Sequence, residues 1–336
     1  MRPRNPEAEP KPFVWVPVPK EAPQRGRPTT HERFTDLTLT GKLELTLTVV
    51  SEHLFVGSGA YEFDPNHGNQ RPDVWYTFYR RNGQICIPGT SLKGMTRAIV
   101  EAISNSCVSQ SRRSEHVPEA HSPKRCQVNK EDPRRSSLCP TCRLFGLTGL
   151  RGRVHFADAL PVGSVVPEVI KIGELWEPRR YGGRKFYEVK QAPLVSDKRP
   201  QKNYRFVEAV AKGSRFHTTL FVENLAKAEL GLLAYALGWR PEKGAFDRAF
   251  TPKLGGAKPR CFGAVHFNPD RLTLWEMQRS GLLQSRVMEQ DNLLSFLARC
   301  MEAASRPNTG LFHKPSWRQL VEGLQEKSET CPREMY

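Results

Sequence analysis

Cys139-Pro-Thr-Cys142 spaces two thiolates so that both reach one tetrahedral ion, which makes this tetrapeptide a metal knuckle needing two further soft ligands. Cys126 is the natural third. For the fourth, His121 is nearest, with His116 and Cys107 as alternatives. A redox dithiol is the competing chemistry, but it would open a helix after a strand, which Arg143-Leu-Phe-Gly146 does not invite. A different chemistry is written into Ile87-Pro-Gly-Thr-Ser-Leu-Lys-Gly-Met-Thr-Arg97, where glycines, hydroxyls and two cations surround a helix start. Unpaired amide N–H groups and the helix dipole favour an anion there, although the glycine spacing and ending of a Walker loop are absent. A third stretch, Arg179-Arg180-Tyr181-Gly-Gly-Arg184-Lys185-Phe186-Tyr187, continues through Lys190, Lys198, Arg199, Lys202, Tyr204, Arg205 and Phe206. Cations interleaved with aromatics suit single-stranded RNA, since phosphates take the charge and unstacked bases take the rings.

The elements that must position these groups follow from periodicity. Leu43, Leu45, Leu47 and Val49 alternate with polar residues, the pattern of a half-buried strand. Val74–Tyr79 and Gln84–Ile87 flank Asn82-Gly83, a dipeptide suited to a tight turn, and are expected to form a projecting, thumb-like hairpin. Leu92, Met95, Ile99 and Ile103 recur at helical spacing after Pro88-Gly89, with Thr90 or Ser91 available as a cap. Gly152–Phe156 and Phe216–Val222 read as strands, Leu225–Leu237 as an amphipathic helix and Ala264–Phe267 as a closing strand. Once the insertions are removed, the order is strand, helix, strand, strand, helix, strand, the split βαβ arrangement of an α+β, ferredoxin-like (RRM-like) domain.

Three regions are therefore expected. Residues 1–35, crowded with proline and charge, form an extended or disordered arm with Phe13, Val14 and Trp15 as a docking segment. Residues 36–269 form the core, interrupted by a zinc-bound insertion at 104–143 and a basic aromatic loop at 176–206. Residues 270–336 form a helical C-terminal extension. The chain carries 51 Lys+Arg against 35 Asp+Glu, a net +16 that favours a polyanionic partner by counterion release. Met1–Lys20 has no apolar core suited to a signal peptide and no apolar run approaches a membrane helix. With cysteines read as metal ligands rather than disulfides, the expected setting is the cytoplasm, with no membrane partner.

The run Ile87–Arg97 resembles the IPGSSLKGxxR motif of the RAMP superfamily, the proteins that form CRISPR effector backbones. Leu144-Phe145-Gly146 with Gly152-Arg-Val-His-Phe-Ala-Asp158 is similar to the family's LFG and G-x-[LV]-x-F-x-D blocks. Leu254-Gly-Gly-Ala-Lys-Pro-Arg-Cys-Phe-Gly-Ala-Val265 resembles its closing glycine-rich loop, with Cys261 where glycine is usual. The string Gly183-Arg-Lys-Phe-Tyr187 looks like a motif of the D and E subtypes of type III systems. Together these matches span about residues 40–268.

The resemblance implies a crRNA-binding backbone subunit of a type III effector, working with target RNA, RAMP relatives, a large signalling subunit and a small subunit. It implies RNA contacts from Gly57, Ser58, Ser91, Lys93, Gly94, Arg97, Arg184, Lys185, Gly255, Gly256, Lys258, Arg260, Phe262 and Gly263, since a missing Cβ lets amides approach phosphates closely. It implies structural zinc in the insertion, held by His121, Cys126, Cys139 and Cys142. Asp73 stands where target-cleaving relatives carry an aspartate, and would use Mg2+ or another divalent ion or accept a ribose 2′-hydroxyl proton. Glu62 and Asp64 are its substitutes, and Arg71, Arg80 and Arg81 would steady the phosphate charge. The alternatives are an inactive architectural subunit at one end of the assembly, and a guide-processing ribonuclease.

Overall fold

The computed structural model describes residues 12–33, 37–65, 71–109, 117–175, 183–193, 197–277 and 283–331. Among them no helix is long and apolar enough to cross a membrane.

The N-terminal segment is extended, but it is packed rather than loose. Strand β1 (Phe13–Val16) pairs antiparallel with residues 184–187, and Val16 is fully buried. Further on, Gly26 bridges Leu138, and the Asn224 amide donates to the carbonyls of Thr30 and Arg33. The expectation of a disordered arm is corrected for residues 12–33: enough of their amides and apolar side chains find partners on the body to fix the proline-rich backbone.

Strand β2 (Leu39–Val49) buries Leu43, Leu45, Leu47 and Val49, as the alternation predicts. Next come β3 (Gly57–Phe63) and β4 (Val74–Phe78), which pair antiparallel. Here the expected hairpin is corrected. Asn82 and Gly83 do take positive φ (51° and 78°), but the ladder across them is two residues per side. The projecting hairpin is β3–β4, and every residue of β3 is exposed.

Helix α1 (Gly89–Ile103) packs Leu92, Met95, Ile99 and Ile103 into the core. The insertion then winds through short 3-10 turns to helix α2 (Pro140–Phe145), followed by β5 (Val154–Phe156), β6 (Glu168–Gly173), β7 (Arg184–Tyr187), β8 (Val189–Gln191), β9 (Tyr204–Ala211) and β10 (Arg215–Leu225). Part of the supposed basic aromatic loop is thus β-structure. Helix α3 (Lys227–Ala236) is apolar almost all round and correspondingly buried.

Beyond it, β11 (Val265–Met277) runs eight residues past the expected end of the core, and β12 (Leu283–Glu289) pairs with it. Helices α4 (Gln290–Ser305) and α5 (Lys314–Leu324) precede β13 (Glu326–Thr330), which lies parallel to β8. A disulfide joins Cys261 to Cys331, which corrects for this pair the reading of the cysteines as metal ligands, because the fold brings their Cα atoms to 6.0 Å, within reach of one bridge. Residues 270–331 are therefore not a helical appendix. They contribute strands to the sheet, and α4 packs on α3 over the core.

The central antiparallel sheet has the order β5–β10–β2–β11–β12. Leu45, Leu47, Phe216, Leu220 and Phe267 on its covered face meet Leu92, Leu232, Leu233, Leu297 and Met301 from the helices. A second, mixed sheet has the order β6–β9–β4–β3 and carries the projecting hairpin. The start of β5 is tied to the start of α3 by a buried ion pair: Arg153, one residue before β5, donates to both carboxylate oxygens of Glu229 in α3 (3.0 and 2.7 Å) and to the Asn224 carbonyl.

Candidate nucleic-acid interface

A cleft of about 420 Å3 opens where α1 faces the loop before β11. One wall is a single face of α1, with Ser91, Gly94, Met95, Ala98 and Ile99 at helical spacing. Opposite stand Val56, Gly57 and the run Lys253–Gly256 with Lys258, while Lys185, Phe186 and Tyr187 of β7 form the rim. Two glycine-bearing motifs far apart in the chain thus meet on one concave surface carrying three lysines.

The glycines work differently from the expectation. Gly256 N–H donates to the Phe55 carbonyl (2.7 Å) and Gly263 N–H to the His53 carbonyl (2.9 Å), so these amides are spent inside the protein. Gly263 has φ +86°, and a Cβ there would sit 2.0 Å from the Leu254 oxygen; Gly255 is likewise closed against Phe55. The loop is glycine-rich because it is pressed onto residues 53–56. Cys261 takes φ 62°, the left-handed conformation that glycine adopts without steric cost, which is consistent with glycine being the usual residue there. What the loop brings to the cleft is therefore the side chains of Lys253 and Lys258. Lys253, which sequence reasoning missed, is buried, donates to the Glu188 carbonyl (2.8 Å), and has its pKa brought down to about 7 by burial and by Lys258. The only available signal was a lysine set beside Leu254-Gly-Gly. Burial also lowers the pKa of Lys258.

Arg260 and Phe262 are corrected as RNA contacts. Arg260 is buried and donates to the Glu174 carbonyl (3.0 Å), and Phe262 packs with Ile172, Val207 and Ala209. Arg184 is also buried and donates to the Ser106 carbonyl, because β7 alternates and turns that side chain inward. Lys185, on the other face of the strand, reaches the rim.

The helix start is occupied as well. Gly89 N–H donates to Asp158 Oδ1 (2.8 Å), and Arg81 binds the other oxygen (2.7 Å). These contacts hold the Asp158 carboxyl below its usual pKa, the Gly89 bond contributing most. The anion favoured by the α1 N-terminus is thus the chain's own, and the family's final aspartate block caps the helix. Lys93 and Arg97 lie about 200° and 240° round α1 from Ser91, off the cleft face. Burial, then Arg97 and Arg151, lowers the Lys93 pKa, while Arg97 donates to Glu101 and the Gly146 carbonyl. The two cations form a separate basic patch with Arg151 instead of facing the glycine loop.

On the hairpin, Gly57 is exposed, and the Ser58 hydroxyl bonds Thr77 (2.6 Å). Asp73 is exposed just before β4, its carbonyl accepting the Asp64 N–H (2.9 Å). Of the arginines expected to steady a phosphate, Arg80 is held by both oxygens of Glu208 (2.6 and 2.7 Å) and Arg81 by Asp158. Asp73 does not line the cleft.

The insertion gathers Cys107, Cys126, Cys139 and Cys142, all buried, with sulfur atoms within 4.8 Å of one another. Metal–sulfur bonds of about 2.3 Å in a tetrahedron place ligands at such separations, so the set could hold zinc. The four thiols hydrogen-bond one another, which lowers the Cys139 pKa and raises those of Cys107 and Cys142. His121 is corrected as the fourth ligand in favour of Cys107. Its ring Nε2 bonds Asn105 Oδ1 (2.8 Å), and burial lowers its pKa to about 4. His116 lies outside the described residues. Cys139 does stand at the N-terminal boundary of the short helix α2, contrary to expectation; four gathered sulfurs, rather than the lack of a helix, favour metal over redox chemistry.

With this geometry in view, the chain was compared with known families. The family model of the RAMP superfamily matches residues 46–265, from within β2 to the first residue of β11. The chain belongs to the RAMP superfamily. A comparison with curated proteins finds no match. RAMP proteins are CRISPR-associated RNA-binding proteins that work with CRISPR RNA and other effector subunits, and in this RAMP chain the matched span contains the cleft wall of α1, all three cleft lysines and the cysteine cluster.

Proposed function

We propose that this RAMP chain is a crRNA-binding backbone subunit of a type III CRISPR ribonucleoprotein, holding the guide's sugar–phosphate chain in the cleft between α1 and the Gly255–Lys258 loop. The observation that carries this reading is the convergence of the two glycine-bearing motifs on one cleft with Lys185 and Lys258. The sequence order β2, α1, β5, β10, α3, β11 and the sheet order β5–β10–β2–β11 support a ferredoxin-like core. Zinc at Cys107, Cys126, Cys139 and Cys142 would supply cross-linking to an insertion with little regular structure. Base pairing reads the target RNA, and the protein reads backbone shape. Large, small and RAMP-type subunits are the expected neighbours in a cytoplasmic complex.

In this reading the β3–β4 hairpin disturbs the guide–target duplex and Asp73 promotes cleavage of the target. Its carboxylate accepts the proton of a target 2′-hydroxyl; the freed oxygen attacks the adjacent phosphorus, and the 5′-oxygen leaves with a proton from water. A divalent ion such as Mg2+, when bound, would offset the charge gathering on the phosphate. The test is a reconstituted complex given complementary RNA. Asp73→Asn should slow cleavage by at least about 100-fold with guide retention unchanged; undiminished cleavage removes Asp73 from the reaction. A second reading, a subunit that binds without cutting, is favoured by the cleft itself. Its described lining consists of serine, glycine, lysine, tyrosine and apolar side chains, a surface for gripping a backbone. A wild-type complex that holds its target intact would establish it.

A further inference from the structure

The ribbon formed by β1 and β7 has two unlike faces. Phe13 stands opposite Tyr187 and Trp15 opposite Lys185, so these four side chains share one face, while Val14, Val16, Arg184 and Phe186 share the other. The second face is built into the body: Val16 and Arg184 are buried, and Val14 sits over Gly323 of α5. On the first face, Phe13 meets Trp15 edge-on at 5.4 Å and Tyr187 edge-on at 6.4 Å between ring centroids. The Lys185 ammonium lies 4.0 Å from the Phe13 centroid and 4.9 Å from that of Tyr187. All three rings remain partly open to solvent, and Lys185 and Tyr187 line the cleft together with Phe186 of the other face, so the aromatic residues border the cleft.

We propose that Phe13, Trp15 and Tyr187 form a base-stacking platform for single-stranded RNA at the edge of the cleft, with Lys185 serving the phosphate beside the stacked base. The inference rests on the RNA-binding reading above and adds to it a contact made to bases rather than to the backbone. A nucleotide presents a flat π-face next to an anion, and this ribbon presents rings next to an ammonium. Stacking tolerates any base, because every base has such a face, so the platform would steady a guide without reading its sequence. Of the other face, Val16 and Arg184 are buried, while Val14 and Phe186 are partly open like the three rings.

The experiment uses the full chain and two labelled probes of about twelve nucleotides: oligouridine, and the same ribose–phosphate chain with abasic positions. Anisotropy titrations should show wild type binding oligouridine about tenfold more tightly than the abasic probe. Trp15→Leu, which keeps an apolar side chain but removes the π-face, should bring the two probes to equal affinity with the salt dependence unchanged, and Trp15→Phe should restore the difference. Phe13→Leu serves as the second variant should Trp15→Leu lower the melting temperature. Equal losses for both probes, or no change for either, would overturn the platform. A wild type that binds neither probe would instead overturn the RNA-binding reading beneath it.

Discussion

A buried ammonium loses its hydration, and at Lys253, whose Nζ donates to the Glu188 carbonyl, this burial, with Lys258 alongside, brings the pKa down to about 7. In the unfolded chain a lysine titrates near 10.4. Below pH 7 both states hold the proton; between about 7 and 10 the unfolded chain keeps it while the folded chain has released it, so stability rises with pH across that window. Lys253→Met should abolish this component. Urea unfolding at several pH values should show the wild-type-minus-variant difference growing as pH rises from 7 towards 10; a constant difference would show that Lys253 does not titrate this way. At the cysteine cluster, replacing one of four thiolates opens a tetrahedral site, whereas His121 is bonded to Asn105 outside it. Zinc content of the purified chain should fall sharply for Cys107→Ser and remain at wild-type level for His121→Ala. The knuckle and Cys126 were readable from spacing. The choice of Cys107 over His121 was not, because it depends on how residues 104–126 fold back, and that stretch has no periodicity to reveal it.

Between elements, the Arg153–Glu229 pair joins the start of β5 to the start of α3, and Glu229 also accepts the Ala226 N–H. Removing one partner of a buried ion pair strands the other, so Arg153→Met should cost about 3–5 kcal/mol of folding stability, and adding Glu229→Leu should recover part of it. Denaturant titration of the single and double variants checks this. The alternation of β2 and β10 and the helical spacing of α1 announced these elements because each buries one face. The β3 strand gave no such signal: it opens with Gly57-Ser58-Gly59 and is exposed on both sides. The extension of β11 was hidden by Asn268-Pro269-Asp270, which reads as a turn although Leu272 and Leu274 beyond it are buried, and the pairing of β12 by polar residues on exposed sheet positions. Arg184, Arg260 and Arg97 looked like RNA ligands by type, yet interior carbonyls and Glu101 claim them, which only the tertiary arrangement decides.

For the whole molecule, the net charge of +16 says that a polyanion is welcome, and the fold says where. Residues from β7, α1 and the loop before β11 assemble the cleft, and the Cys261–Cys331 disulfide fastens the last strand beside that loop. The N-terminal strand, read from sequence as the docking segment of an extended or disordered arm, is fixed on β7 and carries aromatics to the cleft's edge. On the function proposed above, the cleft holds single-stranded RNA through the ammonium groups of Lys185 and Lys258, and RNA affinity measured against salt for wild type and for Lys185→Ala/Lys258→Ala reads those contacts. If both ammonium groups meet phosphates, the variant binds more weakly and its plot of log affinity against log salt is shallower by about 1.4, roughly 0.7 for each lost contact. A folded variant with wild-type affinity and an unchanged slope would contradict the claim.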